Sequence, residues 1–190
     1  MTFRFVVLLL GASIFLMTVP AWAANPVVVI ETSVGNITLE LFQDRAPKSV
    51  ENFLQYVKDG FFTGTVFHRV IPSFMIQGGG LTADLERKPT RAGVENEARN
   101  GLKNARGTVA MARTAEINSG TSQFFINTKD NAALDHRGPG KDFGYAVFGK
   151  VTEGMDVVDK IEKVKTTSKG PYQDVPAESV LIKSVTLKSS

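Results

Sequence analysis

Short β-branched and alternating runs recur along the chain, and two stretches switch to helical spacing. Residues 27–30 form a β-branched run, and Ile37-Thr38-Leu39-Glu40-Leu41 alternates apolar with polar. Thr32-Ser33-Val34-Gly35-Asn36 between them is rich in turn residues, so the pair predicts a hairpin. Pro47 then opens a helix, a position where its missing N–H costs nothing. Val50, Phe53, Leu54 and Val57 fall at i, i+3, i+4 and i+7 on one buried face, and Gly60 is a natural stop. Further strand-like runs cover 66–71, 75–77, 108–112, 123–126, 145–151 and 180–187. A second helix is expected over 155–164, with Val157, Val158, Ile161 and Val164 on its apolar side. Many short strands, two helices and glycine-rich connections argue for a mainly β fold, a largely antiparallel sheet closed or folded over its core with helices as plugs. Residues 81–106 are polar and irregular, too long for a plain connection, and are expected to be functional or packed on the sheet wall.

The first 23 residues stand apart from this pattern. Arg4 is followed by an unbroken apolar and small-residue run to Val19, then by Pro20-Ala21-Trp22-Ala23. A basic start, an apolar middle and an Ala-x-Ala end read as a secretory signal peptide cleaved after Ala23. The rival reading is a retained membrane anchor, since about 20 uncharged residues suffice to span. Residues 24–190 then form one domain with no repeat, charge block or linker. The absence of cysteine excludes disulfides, thiolate metal sites and a cysteine nucleophile together. An exported chain without cysteine fits the bacterial periplasm. Loss of Arg4 takes the net charge from +3 to +2, too little to argue for nucleic acid.

Little in the chain supports hydrolytic, metal or phosphate chemistry. Its two histidines are His68 and His136. Ser122 and Asp135 are the obvious partners for a hydrolase triad, but Gly120-Thr121-Ser122-Gln123-Phe124 is no nucleophile elbow. His68 lies in a strand-like run and reads as structural, and His136 beside Asp135 lacks helical metal-ligand spacing. Gly78-Gly79-Gly80 lacks the basic anchor of a phosphate loop and reads as a place where backbones approach closely. Asn36-Ile37-Thr38 matches a glycosylation acceptor by chance. Two segments resist such plain readings. In the first, Arg69 sits between apolar runs, and strand alternation would place Phe67, Arg69 and Ile71 on one face. The second runs from Met111-Ala112-Arg113 to Ser122-Gln123-Phe124-Phe125-Ile126.

Together these segments resemble the cyclophilins. Phe67-His68-Arg69-Val70-Ile71-Pro72 and Phe74-Met75-Ile76-Gln77-Gly78-Gly79 are similar to the family signature. Gly120-Thr121-Ser122-Gln123-Phe124-Phe125-Ile126 resembles its second block, and Val147-Phe148-Gly149-Lys150-Val151 its third. The resemblance runs in order over residues 27–187. It implies a closed eight-stranded antiparallel β-barrel capped by two helices. It also implies peptidyl-prolyl cis–trans isomerisation, with no cofactor or metal and a monomeric state. The partners it implies are proline-containing peptides and folding proteins.

That reaction needs no nucleophile. The obstacle is amide resonance, a barrier of about 18–20 kcal/mol. A fixed cationic donor can hydrogen-bond the proline nitrogen of the twisted amide while an apolar pocket holds the ring. Arg69, with its permanent charge and rigid fork, is the expected donor. By resemblance Phe74, Met75, Phe125 and Leu134 form the proline pocket, and Gln77 holds Arg69 or the substrate carbonyl. Ala112 and Arg113 line the peptide groove and Gln123 supports its floor. Relative to the vertebrate cytosolic pattern, Ala133 stands in place of a tryptophan that binds cyclosporin, Tyr145 in place of a histidine, and Arg113 in place of an asparagine. Tyr145 keeps an aromatic wall and so remains a binding residue. The loss at Ala133 implies weak cyclosporin binding. The rival class is a periplasmic peptide-binding module or chaperone without turnover, which would not require the Arg69–Gln77 pair.

Overall fold

The computed structural model describes residues 25–188. The signal peptide expected over residues 1–23, with its expected cleavage site, lies outside the described residues. Strands β1 (Val27–Thr32) and β2 (Gly35–Leu41) form the expected hairpin, and the Thr32 hydroxyl closes its turn onto the Gly35 carbonyl at 2.6 Å. Helix α1 spans Pro47–Lys58, with proline in its first turn. Strands β3 (Thr65–Ile71), β4 (Met75–Thr82), β5 (Thr108–Met111), β6 (Phe124–Asn127) and β7 (Val147–Glu153) follow. Helix α2 (Met155–Glu162), strands β8 (Thr166–Lys169) and β9 (Tyr172–Pro176), and strand β10 (Val180–Leu187) complete the chain.

Eight strands close into an antiparallel barrel in the order β1-β10-β3-β4-β6-β5-β7-β2. The barrel holds a continuous apolar core in which Ile30, Leu39, Phe67, Ile76, Phe124 and Phe148 are fully buried. Both helices turn an apolar face into that core, Val50, Phe53 and Tyr56 from α1 and Val157, Val158 and Ile161 from α2. The sequence periodicity of each helix therefore reports a real packing face.

Three features depart from the expected pattern. Strand β4 runs on through the glycines to Thr82, and each glycine is closely approached: Gly78 by the Val66 carbonyl, Gly79 by Phe124 and Gly80 by Gln123. At Gly79, with φ +81°, a Cβ would lie 2.8 Å from the Phe124 ring. At Gly80 it would lie 2.4 Å from Gln123 Cγ. The glycines are thus close-approach positions inside a strand. Secondly, the register of β3 against β4 slips between Phe67 and Arg69. This bulge breaks the alternation: Phe67 and Val70 join the core while Arg69 is exposed, so Phe67 and Arg69 do not share a face. Thirdly, β8 and β9 form a separate hairpin, unforeseen in the sequence reading, whose β9 packs against β3.

Residues 81–106 lie on the barrel wall and anchor α1. The Glu97 carboxylate accepts hydrogen bonds from the Ser49 hydroxyl at 2.6 Å, the Ser49 N–H at 2.8 Å and the Lys48 N–H at 3.0 Å. These satisfy backbone donors that the first helical turn leaves free. The Arg91 N–H donates to the Tyr56 hydroxyl at 2.9 Å, which ties the segment to the buried face of the helix. Among the described residues no helix is long and apolar enough to cross a membrane.

Candidate functional site

A second apolar cluster lies outside the barrel core, on the outer face of β4, β5, β6 and β7. Met75, Ala110, Phe125 and Val147 are buried there, with Phe74, Ala112, Leu134 and Tyr145 packed against them. Its origin is visible along β6, where every residue is buried: Phe124 and Ile126 point into the barrel and Phe125 points out. An outward phenylalanine demands a cover, and the loop from Asn131 to Tyr145 supplies part of one. That loop is held by polar anchors. The Asn131 amide donates to the Phe74 carbonyl at 2.7 Å and to Asn127 Oδ1 at 2.8 Å. Asp135 accepts from the Asn104 N–H at 2.8 Å, and the Tyr145 N–H donates to the Leu134 carbonyl at 2.9 Å.

The cover is incomplete. Between it and the sheet opens a cavity of about 180 Å³. Phe74, Met75, Phe125, Leu134, Tyr145 and Ala112 make its apolar walls, and Arg69, Gln77 and Arg113 its polar edge. The Tyr145 ring meets Phe125 edge-on at 5.6 Å. The Arg113 guanidinium lies 4.8 Å from the centre of the Tyr145 ring, and its Nε donates to the Gly144 carbonyl at 3.0 Å. Arg113 is thus spent on holding the Tyr145 wall rather than projecting freely.

The remaining expected residue, Gln123, lies behind this edge. Its Oε1 accepts a hydrogen bond from Gln77 Nε2 at 2.9 Å. Gln77 is therefore held by Gln123, and the partner of Arg69 is Asp174 of β9, 3.8 Å from its Nε. Gln123 also lines a larger neighbouring hollow of about 370 Å³ that includes His68, Arg69, Gln77 and residues of the β8–β9 hairpin. His68 is buried, as a structural histidine should be, and its Nδ1 has no hydrogen-bond partner. Burial lowers its pKa to about 4, and the charges of Arg69 and Arg87 act in the same direction. No hydrolase triad is assembled: Ser122 Oγ is buried without a partner, and Asp135 is engaged with Asn104 and Lys103.

A small cavity with apolar walls, an exposed Arg69 guanidinium at its edge and Arg113 tied to the Gly144 carbonyl suits holding a compact apolar group beside a cation. The model of the family described as cyclophilin type peptidyl-prolyl cis-trans isomerase/CLD matches residues 27–187. The chain belongs to this family. It is similar to peptidyl-prolyl cis-trans isomerase A of Dickeya dadantii, 57% identical over 167 residues that cover 87% of each chain. It is 52% identical over 161 residues to peptidyl-prolyl cis-trans isomerase B of Escherichia coli, covering 84% of this chain and 98% of that one. A crystal structure of a cyclophilin type peptidyl-prolyl cis-trans isomerase from Cryptosporidium parvum superposes with a TM-score of 0.72 at 26% identity, covering 87% of this chain and 99% of that one. A second structure of that protein was determined in the presence of the dipeptide Ala-Pro. The chain is accordingly a peptidyl-prolyl cis–trans isomerase with the cyclophilin barrel.

Nine of the ten residues singled out in the sequence line one cavity of this cyclophilin, and the tenth, Gln123, braces Gln77 from behind. What sequence reading missed is Asp174. Its strand is short and half-exposed, so apolar alternation does not mark it. The available signal was Gly170-Pro171 after Thr166-Thr167, a turn dipeptide following a β-branched pair.

Proposed function

We propose that the 180 Å³ cavity holds the proline ring of an X-Pro segment and that Arg69 stabilises the twisted amide during rotation. The observation that carries this reading is the placement of six apolar side chains and the Arg69 guanidinium around one cavity of about 180 Å³. The ring sits against Phe74, Met75, Phe125 and Leu134, with Tyr145 as an aromatic side wall. As the C–N bond twists, the proline nitrogen becomes pyramidal and gains a lone pair that an Arg69 N–H can bond. That bond exists only in the twisted state, so it lowers the barrier without tightening the ground state. Gln77, oriented by Gln123, offers an amide to the acyl carbonyl. Ala112 and Arg113 flank the path of the peptide backbone. The Ala-Pro dipeptide used with the Cryptosporidium protein is consistent with this substrate class.

The test is cis–trans exchange of a short X-Pro peptide followed by NMR, with catalytic amounts of the chain from Ala24 and of its Arg69→Ala form. Acceleration by the first and a loss of about 10²–10³-fold in the second is expected, the scale for removing one transition-state donor. A folded Arg69→Ala variant with full activity would remove the assigned role. A folded protein that binds the peptide without accelerating exchange would favour a peptide-binding module or chaperone.

The basic start, apolar run and Ala21-Trp22-Ala23 support export to the periplasm and cleavage after Ala23. Mass spectrometry of the exported protein tests the cleavage site. Alanine at position 133 supports weak cyclosporin binding, since it offers neither a large contact nor an indole donor. Tight binding in a direct titration would overturn that expectation.

A further inference from the structure

The hollow of about 370 Å³ adjoins the proline cavity and shares Arg69 and Gln77 with it. One peptide threaded past Arg69 can therefore place its proline in the first cavity and a neighbouring side chain in the second. The walls of the second are mostly polar. Gln77 and Gln123 offer amides, and buried His68 closes one side of the hollow. Its charges do not balance. Asp174 is the single carboxylate among the lining residues and already faces Arg69 at 3.8 Å. Arg87 is exposed, lines the same hollow, and makes no ion pair among the described residues. Its position is set by the backbone, through an antiparallel bridge to Leu81 of β4. The charges of Arg69 and Arg87 both reach His68 and, with burial, keep it neutral near pH 7, so His68 does not add to the positive charge of the hollow.

We propose that this hollow is a substrate subsite for an acidic side chain flanking the proline, with Arg87 as its specificity-determining residue. The proposal rests on the proline cavity assigned above and names the peptide class that the combined site prefers. A carboxylate placed there meets an unpaired guanidinium and the side-chain amides of Gln77 and Gln123. A lysine placed there meets like charge.

The experiment compares X-Pro peptides carrying Glu, Ala or Lys at each position flanking the proline. Both NMR exchange rates and binding by calorimetry are measured for the wild type, Arg87→Ala and Arg87→Glu. The wild type is expected to favour Glu over Lys at one flanking position by about three- to five-fold, the range for a solvent-facing ion pair. The ratio should fall close to one in Arg87→Ala, invert in Arg87→Glu, and shrink in 1 M salt. Equal handling of Glu and Lys by the wild type at every position overturns the proposal. So does a Glu preference that survives in Arg87→Ala. Peptides that bind with the Glu preference but are not turned over would instead refute the isomerase mechanism and leave the subsite supported.

Discussion

The Nε of Arg69 stands 3.8 Å from a carboxylate oxygen of Asp174, across a contact between barrel strand β3 and the separate β8–β9 hairpin. Arg69 sits at the bulge of β3, where the strand turns it out of the core side. Asp174 has φ +58°, a left-handed conformation that non-glycine residues adopt at a cost. An unfavourable backbone and an ion pair to the candidate donor coincide in one residue. The carboxylate is therefore placed to orient the Arg69 guanidinium, and its removal is expected to loosen that side chain.

Asp174→Asn tests this, because asparagine tolerates the left-handed conformation and removes only the charge. A fall in kcat of about two- to five-fold with KM little changed is expected, in line with the modest worth of a half-exposed pair. NMR exchange at several peptide concentrations separates the two constants. An unchanged kcat would assign Asp174 to the hairpin alone.

The Gln77–Gln123 bond gives a second expectation. In Gln123→Leu the Gln77 amide loses its acceptor at 2.9 Å and is free to turn away from the cavity. Stability should drop by about 1 kcal/mol, the usual net worth of such a bond, and activity should fall several-fold. Gly80→Ala should act in the same direction by displacing the Gln123 side chain that lies within 2.4 Å of the added methyl. Urea unfolding and exchange rates on the same samples separate stability from activity.

These relationships show what a sequence can and cannot disclose. The barrel strands, both helices and the cavity residues were legible because each carries a strong local mark. Phe53 and Ile161 keep helical spacing, Leu39 and Leu41 alternate, and the segments around Arg69 and Gln123 match family motifs. The bulge at Arg69 was not legible, since it depends on the register against β4. Asp174 was not legible either, because its importance comes from a strand distant in sequence. The Gln77–Gln123 hydrogen bond was not legible for the same reason: a side-chain hydrogen bond is settled by three-dimensional placement, and the two residues stand 46 positions apart in the chain.

Glu97 gives a stability prediction away from the cavity. Its carboxylate accepts from Lys48 N–H, Ser49 N–H and the Ser49 hydroxyl at the start of α1, where Ala46 offers no side-chain cap. Glu97→Ala should cost about 1–2 kcal/mol, the scale of a lost helix cap. Exchange catalysis per folded molecule should be unaltered, because the residue is absent from the cavity walls. A large loss of activity without loss of stability would contradict this placement.

His68 predicts how the protein responds to acid. Its folded pKa lies near 4, against an ordinary value of 6.5, chiefly through burial. The neutral ring is the form the fold accepts, so the unfolded chain binds a proton more readily between these values. The contribution of His68 to stability is complete above about pH 6.5 and is lost progressively as the pH falls towards 4, by about 3 kcal/mol in total. Glu40 acts in a lower window. The hydrogen bond from Asn25, helped by Lys150, lowers its pKa, so its contribution holds above the ordinary 4.5 and is lost only below it. Urea unfolding at pH 7, 5.5 and 4 should therefore show most of the wild-type decline above pH 4.5, and His68→Gln should flatten that part of the curve. An equal decline in the variant would mean that His68 is not the group the fold keeps neutral.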